Sequence, residues 1–364
     1  MINDRRLKQA ALQYLVSKQW FPQMELVVQA QSSATTRSYD ITDIDVHGAA
    51  PDEFSGYRTI LIDCKSGRRE SVITRALWLK GLMEYFHASW GICIFNEQKK
   101  IELDHRETAA TLGVSLMTMS EFEVFARATD GDIQKSNSNL ADIDKWELYL
   151  QIPNRFINLQ PVIEFSLGKF WGLPDAGSQC RRSIAILRTL KSELDPAKRE
   201  HMVIFGDVLA LFLYASAQVS HRLFQAYLQP ESRDTLDEVL LPYVYGGRES
   251  YTLMNQLNAS IPRRNDQGRE PQDLVLPEWN LFVHLIRSML DAPMQALYTP
   301  LVAREVAWSY LADKEDLNFA KQIAMEKRQI GKYCLQATKY LVAAATLPPE
   351  FEERFREIFI SIQS

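Results

Sequence analysis

The apolar residues of this 364-residue chain change period once, and that change limits the folds open to it. Up to about residue 128, short β-rich runs alternate with segments at helical spacing. From Trp146 onward nearly every long segment is helical, as over 181–194, 199–228, 278–291, 300–312, 315–346 and 349–362. The stretch 128–145, ATDGDIQKSNSNLADIDK, is rich in Asp, Ser, Asn and Gly and poor in large apolar residues, which suits a linker over 129–144. A chain this long exceeds one ordinary core. Two domains are therefore expected, α/β over 1–128 and all-α over 145–364. The helical part carries no repeat of fixed length, and 262–275, PRRNDQGREPQDLV, reads as a surface loop.

Within the first part, Leu7, Ala11, Leu12, Leu15 and Val16 share one face of a helix over 5–18, ended by Trp20-Phe21-Pro22. Met24 to Val28 and Tyr39 to His47 read as strands joined by a polar turn at 31–38, followed by a loop at 48–57. Thr59 to Lys65 has the composition of a central strand. A helix over 70–86, a buried strand at Trp90 to Phe95, a helix over 105–112 and a strand at Val114 to Met119 complete the set. The order helix, three strands, helix, strand, helix, strand predicts a mixed central sheet flanked by helices.

Charge and cysteine usage remove several classes. The net charge is −5, and residues 1–128 hold 15 Lys+Arg against 16 Asp+Glu, so nucleic acid is not gripped by a bulk positive coat. A bound divalent cation would offset a local cluster of carboxylates. Cys64, Cys93, Cys180 and Cys334 form no CxxC pair, which disfavours a disulfide framework or zinc site and points to reducing cytosol. The start, MINDRRLKQAALQYL, is an amphipathic helix rather than a secretory signal. Met202 to Val219 is interrupted by Asp207 and reads as a buried helix, so no membrane partner is expected. Gly246-Gly247 and Gly172 lack the Lys-Ser/Thr of a phosphate loop.

One pair of segments carries chemistry. Tyr39-Asp-Ile-Thr-Asp-Ile-Asp-Val-His47 is followed, eighteen residues after Asp45, by Ile60-Leu-Ile-Asp-Cys-Lys65. Alternation puts Leu61, Asp63 and Lys65 on one strand face and Ile60, Ile62 and Cys64 on the other. A carboxylate and an ammonium at the end of an apolar strand are costly unless they pair or face a cleft. Phosphodiester hydrolysis needs such a group, because water must lose a proton while negative charge gathers on phosphate. Asp45 and Asp63 would hold Mg²⁺, with Mn²⁺ as substitute and the Cys64 carbonyl as a further ligand; Lys65 would orient the water or stabilise the phosphate.

This layout resembles the PD-(D/E)xK nuclease superfamily, specifically restriction-endonuclease-like and Mrr-like domains, in which an Ile-Asp-Val strand precedes a strand ending in (D/E)xK. The resemblance covers about 125 residues and assigns Asp45, Asp63 and Lys65 to the three motif positions, with Ile44 in place of the proline. The family often carries another acidic residue near its start; helix 5–18 has no Glu, which leaves Glu25 on the first strand. What the resemblance implies is a cytoplasmic, Mg²⁺-dependent DNA endonuclease in bacterial restriction or anti-phage defence. Its helical domain would sense, oligomerise or dock a protein partner.

Asp43, on the same predicted strand face as Asp45, is a further candidate ligand or a solvated neighbour. Arg68, Arg69, Arg75 and Lys80 are candidate phosphate contacts or plain exposed helix charges. His47 reads as a hydrogen-bonded loop residue before a catalytic one, and Trp78, Tyr85 and Trp90 as core before base-stacking groups. A bare Asp-x-Lys also arises by chance, as a surface pair at a strand end. A nuclease fold without catalysis, serving as a nucleic-acid-binding scaffold, and a helical adaptor with a structural head are the other open readings.

Overall fold

The computed structural model describes residues 2–30, 39–67, 71–129, 131, 138–227, 233–260, 273–311 and 316–363. The candidate phosphate contacts Arg68 and Arg69, the turn 31–38 and most of the loop 262–275 lie outside the described residues. The N-terminal part is built from α1 (Arg5–Ser17), β1 (Phe21–Gln29), β2 (Asp40–Asp52), β3 (Gly56–Lys65), α2 (Val72–Phe86), β4 (Trp90–Phe95), α3 (Leu103–Thr111), β5 (Val114–Thr118) and α4 (Met119–Ala128). The five strands lie in sequence order in one mixed sheet: β1, β2 and β3 pair antiparallel, and β3, β4 and β5 pair parallel. The mixed sheet and the central place of β3 are as expected.

Two differences from the sequence reading have plain causes. The expected loop at 48–57 is largely strand: β2 continues through Asp52, pairing Ala49 with Phe21 and Asp52 with Gly56. Its small residues answer to packing, because a Cβ on Gly48 would meet Leu15 of α1 at 2.7 Å. The turn proper is held by Asp52 Oδ1, which accepts from the Phe54 and Ser55 amides, and closes at Gly56 with φ +78°. Helix α4 was not expected. Its start is marked by a capping box in which Thr118 and Glu121 satisfy each other's amides.

The helical part comprises α5 (Ile143–Arg155), α6 (Gln160–Glu164) running into a π turn at Phe165–Lys169, α7 (Ala176–Thr189), α8 (Arg199–Tyr227), α9 (Arg233–Val244), α10 (Arg248–Ser260), α11 (Trp279–Leu290), α12 (Pro293–Ala296), α13 (Thr299–Ser309), α14 (Asn318–Glu326), α15 (Ile330–Ala345) and α16 (Glu350–Ser361). The single segment expected over 315–346 is two helices, broken where the Lys327 ammonium turns back to Gln19 and the Tyr298 ring. Helix α8 is long and apolar enough to cross a membrane, yet 94% of its apolar window is buried inside the fold. It is the central strut of the helical part.

The sheet separates two cores. On one face α2 and α3 cover Leu61, Cys93, Phe95 and Val114. On the other, α1 and α4 cover Val46, Ile62 and Ile94, and this core runs without a break into Trp146, Phe170 and Tyr214 of the helical part. The stretch 129–144, read as a linker, is therefore no solvated tether where it is described. Asn139 and Leu140 are buried and donate their amides to Glu305 on α13, and α5 already begins at Ile143.

Candidate active site

The β2–β3 ladder ends at Val46↔Ile62. Beyond that pair the strands part, and the Cys64 amide donates to Asp45 Oδ2 at 2.7 Å, so a carboxylate stands where the next backbone carbonyl would. The neighbouring strand is irregular at the same level. Glu25, flanked by the pairs Met24↔Val46 and Leu26↔Ile44, has φ +52°, a left-handed backbone unusual for a residue with a Cβ. Both strands turn over here: Met24 and Val46 pack in the α1-side core, whereas Leu26 and Ile44 pack in the α2-side core. Strict alternation fails at this point, and Glu25, Asp43 and Asp45 converge, with one carboxylate oxygen of each lying within 4.8 Å of the others.

Cations frame the fork. Lys65 Nζ stands 3.3 Å from Asp45 Oδ2 and 3.4 Å from Asp63 Oδ1, so one ammonium spans both motif carboxylates. From the α1 side, Lys8 reaches Asp45 Oδ1 at 2.8 Å and also Glu25. From the α2 side, Arg75 grips Asp63 with Nε at 3.0 Å and with Nη2, its guanidinium stacked 3.8 Å over Trp78. A cleft of about 430 Å³ opens on Lys8, Glu25, Asp43, Asp45 and Lys65 and is bounded by Glu147 and Gln151 of α5. Arg5 ties α5 down through Asp144 and Glu147.

The electrostatics follow from burial set against these partners. Burial alone would raise the Asp45 carboxyl, but Lys8, Lys65 and the Cys64 amide outweigh it and hold it below its ordinary value. Burial leaves Asp63 above its ordinary value despite Arg75 and Lys65, and Glu25 above its own despite Lys8. Lys65 and Lys8 lose hydration, yet the facing carboxylates more than compensate, and both ammoniums are held above the usual lysine range.

No family model, curated protein or solved structure matches this chain.

Of the residues marked from sequence, the fold brings Asp45, Asp63 and Lys65 together, and adds Glu25 and Asp43 beside Asp45. Cys64 enters through its amide, which donates to Asp45. Asp63 is turned toward Arg75 and stands apart from the group of three acids that could hold a metal ion among the described residues. Arg75 points inward rather than along a nucleic-acid path, and Lys80 pairs with Glu84 on the outer face of α2. His47 is buried in strand β2 against Trp171, with ring centroids 4.6 Å apart. Tyr85 and Trp90, expected in the core, are 43% and 41% exposed.

Lys8 is the functional candidate that sequence reasoning missed. The signal is present: it interrupts the apolar stripe of α1, four residues before Leu12, and a lysine at a buried helix position needs a carboxylate to face.

Proposed function

We propose that this chain is a metal-dependent nuclease of the restriction-endonuclease-like type, hydrolysing DNA phosphodiester bonds at the β2–β3 fork. The observation that carries this is the single Lys65 ammonium lying between Asp45 and Asp63 where the central antiparallel pair of a mixed, helix-flanked sheet opens. The hard oxygen donors Glu25, Asp43 and Asp45 fit Mg²⁺ or Mn²⁺. A cation held there would supply a water of lowered pKa and offset charge gathering on the phosphate.

The chain's own residues do the rest. Lys65 donates to a phosphate oxygen entering the cleft, a task for which a compact, strongly hydrated charge on a flexible stem is suited. Arg75 fixes Asp63, and Asp63 in turn keeps the Lys65 ammonium at the mouth of the fork. Lys8 holds Asp45 and Glu25 in place while no cation stands between them. The motif's resemblance extends the proposal to bacterial restriction or anti-phage defence, with the helical part as sensor, oligomerisation or partner surface.

The test is cleavage of linear and supercoiled DNA by the full chain with Mg²⁺ or Mn²⁺. Asp45→Ala and Lys65→Ala should each slow cutting by at least about a hundredfold while the protein stays folded. Wild-type protein that cuts neither DNA nor RNA with either ion refutes the proposal. A nuclease fold without catalysis is the second reading, favoured by one fact: every carboxylate oxygen of Asp45 and Asp63 already has a cationic or amide partner. Calorimetric titration with Mn²⁺ separates the two, since a scaffold gives no heat that depends on Asp45.

A further inference from the structure

A second cleft, of about 480 Å³, lies between the sheet and the helical part, bounded by β2 and β3 on one side and by α7 and α8 on the other. It shares no lining residue with the cleft at the fork. Thr59, at its edge, and Lys65 are six residues apart on β3, about 20 Å of extended strand. The volume is in the range of sites for small molecules.

Two features of the lining call for a ligand. His47 and Gln179 are both more than nine-tenths buried, and among the described residues His47 Nδ1 and Gln179 Oε1 have no hydrogen-bond partner. Buried polar atoms left unpaired each cost about 1–3 kcal/mol, so these two, on residues that line one cavity, are costly as they stand. Around them stand aromatic rings: Trp171 packs on His47 and, at 5.4 Å, on Tyr214, which itself stacks on Tyr57 at 4.4 Å. At the rim Arg222 is exposed and makes no ion pair among the described residues.

We propose that this cleft binds a small aromatic anion of the nucleoside monophosphate class. The base lies against Trp171, beside His47 and Gln179, and the phosphate meets Arg222. Aromatic walls suit any base, because each base presents a π face, and a guanidinium suits a phosphate. An occupant touching both β2–β3 and α7–α8 also bridges the two parts of the chain. The proposal is independent of the nuclease reading.

The experiment is calorimetric titration and thermal melting of the full chain, in EDTA, with AMP, GMP, CMP and UMP, and with adenosine and inorganic phosphate as controls. At least one monophosphate is expected to bind one site per chain with Kd below about 1 mM and to raise the melting temperature. Removing its phosphate, or the substitution Arg222→Ala at an exposed position, should weaken binding at least about tenfold, and Gln179→Leu should weaken it while the melting temperature without ligand stays in range. Absence of saturable binding by all four, or binding that Arg222→Ala leaves unchanged, overturns the proposal and assigns the unpaired atoms to trapped water.

Discussion

Lys8 Nζ lies 2.8 Å from Asp45 Oδ1, and the lysine side chain is only 3% exposed. An ammonium so deep in the fold is tolerable because Asp45 and Glu25 both face it. The converse holds as well: without it, those two carboxylates face each other. Lys8→Met is expected to destabilise the protein by about 3–5 kcal/mol in EDTA, the usual consequence of breaking a buried pair. Millimolar Mn²⁺ should restore part of that loss in the variant by binding only the folded form, and do less for the wild type. Urea denaturation with and without Mn²⁺ measures both. Equal metal effects on the two proteins would show that Lys8 and a cation do not compete for the same carboxylates.

Arg75 presents a different case, since its partner Asp63 keeps Lys65 when the guanidinium is gone. Arg75→Met should cost about 2–3 kcal/mol at pH 7, less than full loss of a buried pair. Burial already holds the Asp63 carboxyl above its ordinary value of 3.8, and losing Arg75 raises it further. The folded variant then takes up a proton at a higher pH than the unfolded chain, so its deficit narrows as pH falls from 7 toward the ordinary carboxyl value of 3.8. A deficit that stays constant over that range would mean that Asp63 is not the group left unpaired.

What the amino-acid order discloses about this site, and what it hides, has a physical pattern. Alternation places Asp63 and Lys65 together because β3 is central and regular, paired with β4 up to its end at Lys65. It puts Asp43 on the face of Asp45 but does not bring Glu25 beside them, because that convergence depends on the left-handed backbone at Glu25, which no period-two pattern encodes. The order of elements is legible since each carries its own apolar face, whereas Gly48 and its alanine neighbours read as a loop because their reason is the approach of Leu15 from another element. Arg75 looks like any exposed helix cation until α2 is laid on the sheet. The inter-domain segment misleads for the same cause: its polar Ser138 and Asn139 are satisfied by one distant carboxylate, Glu305.

His47 should make the fold sensitive to acid. Complete burial, with Arg304 nearby, pushes its imidazole down from 6.5 to about 3. The unfolded chain therefore binds a proton below pH 6.5 that the folded chain refuses, and stability falls as pH is lowered from 6.5 toward 3. The slope from this residue approaches about 1.4 kcal/mol per pH unit at most. In His47→Gln the slope between pH 6 and pH 4 should flatten, as read by urea midpoints across the series. An unchanged slope would mean that other groups carry the acid sensitivity.

Arg304 on α13 and Asp207 on α8 form a buried ion pair inside the helical part, and the same guanidinium reaches across to the sheet. Nε stands 2.8 Å from Asp207 Oδ1, both side chains are almost fully buried, and Tyr149 and Ser166 donate their hydroxyls to Oδ2. The guanidinium also donates to the Pro22 carbonyl and to Gln23 Oε1 on β1, and lies 4.2 Å over the Phe21 ring. Arg304 thus ties the edge strand of the sheet to the central helix of the helical part. Arg304→Met is expected to cost about 3–5 kcal/mol, because it strands a buried carboxylate among apolar groups. Adding Asp207→Asn to it should recover part of that loss, giving a coupling energy of at least about 1–3 kcal/mol in a double-mutant cycle. Since the same guanidinium holds β1, the variant should also expose the seam, so that unfolding followed separately by Trp fluorescence and by far-UV circular dichroism no longer coincides, whereas coincident transitions are expected of the wild type. Additive single effects with coincident transitions would place the union of the two parts in their shared apolar core alone.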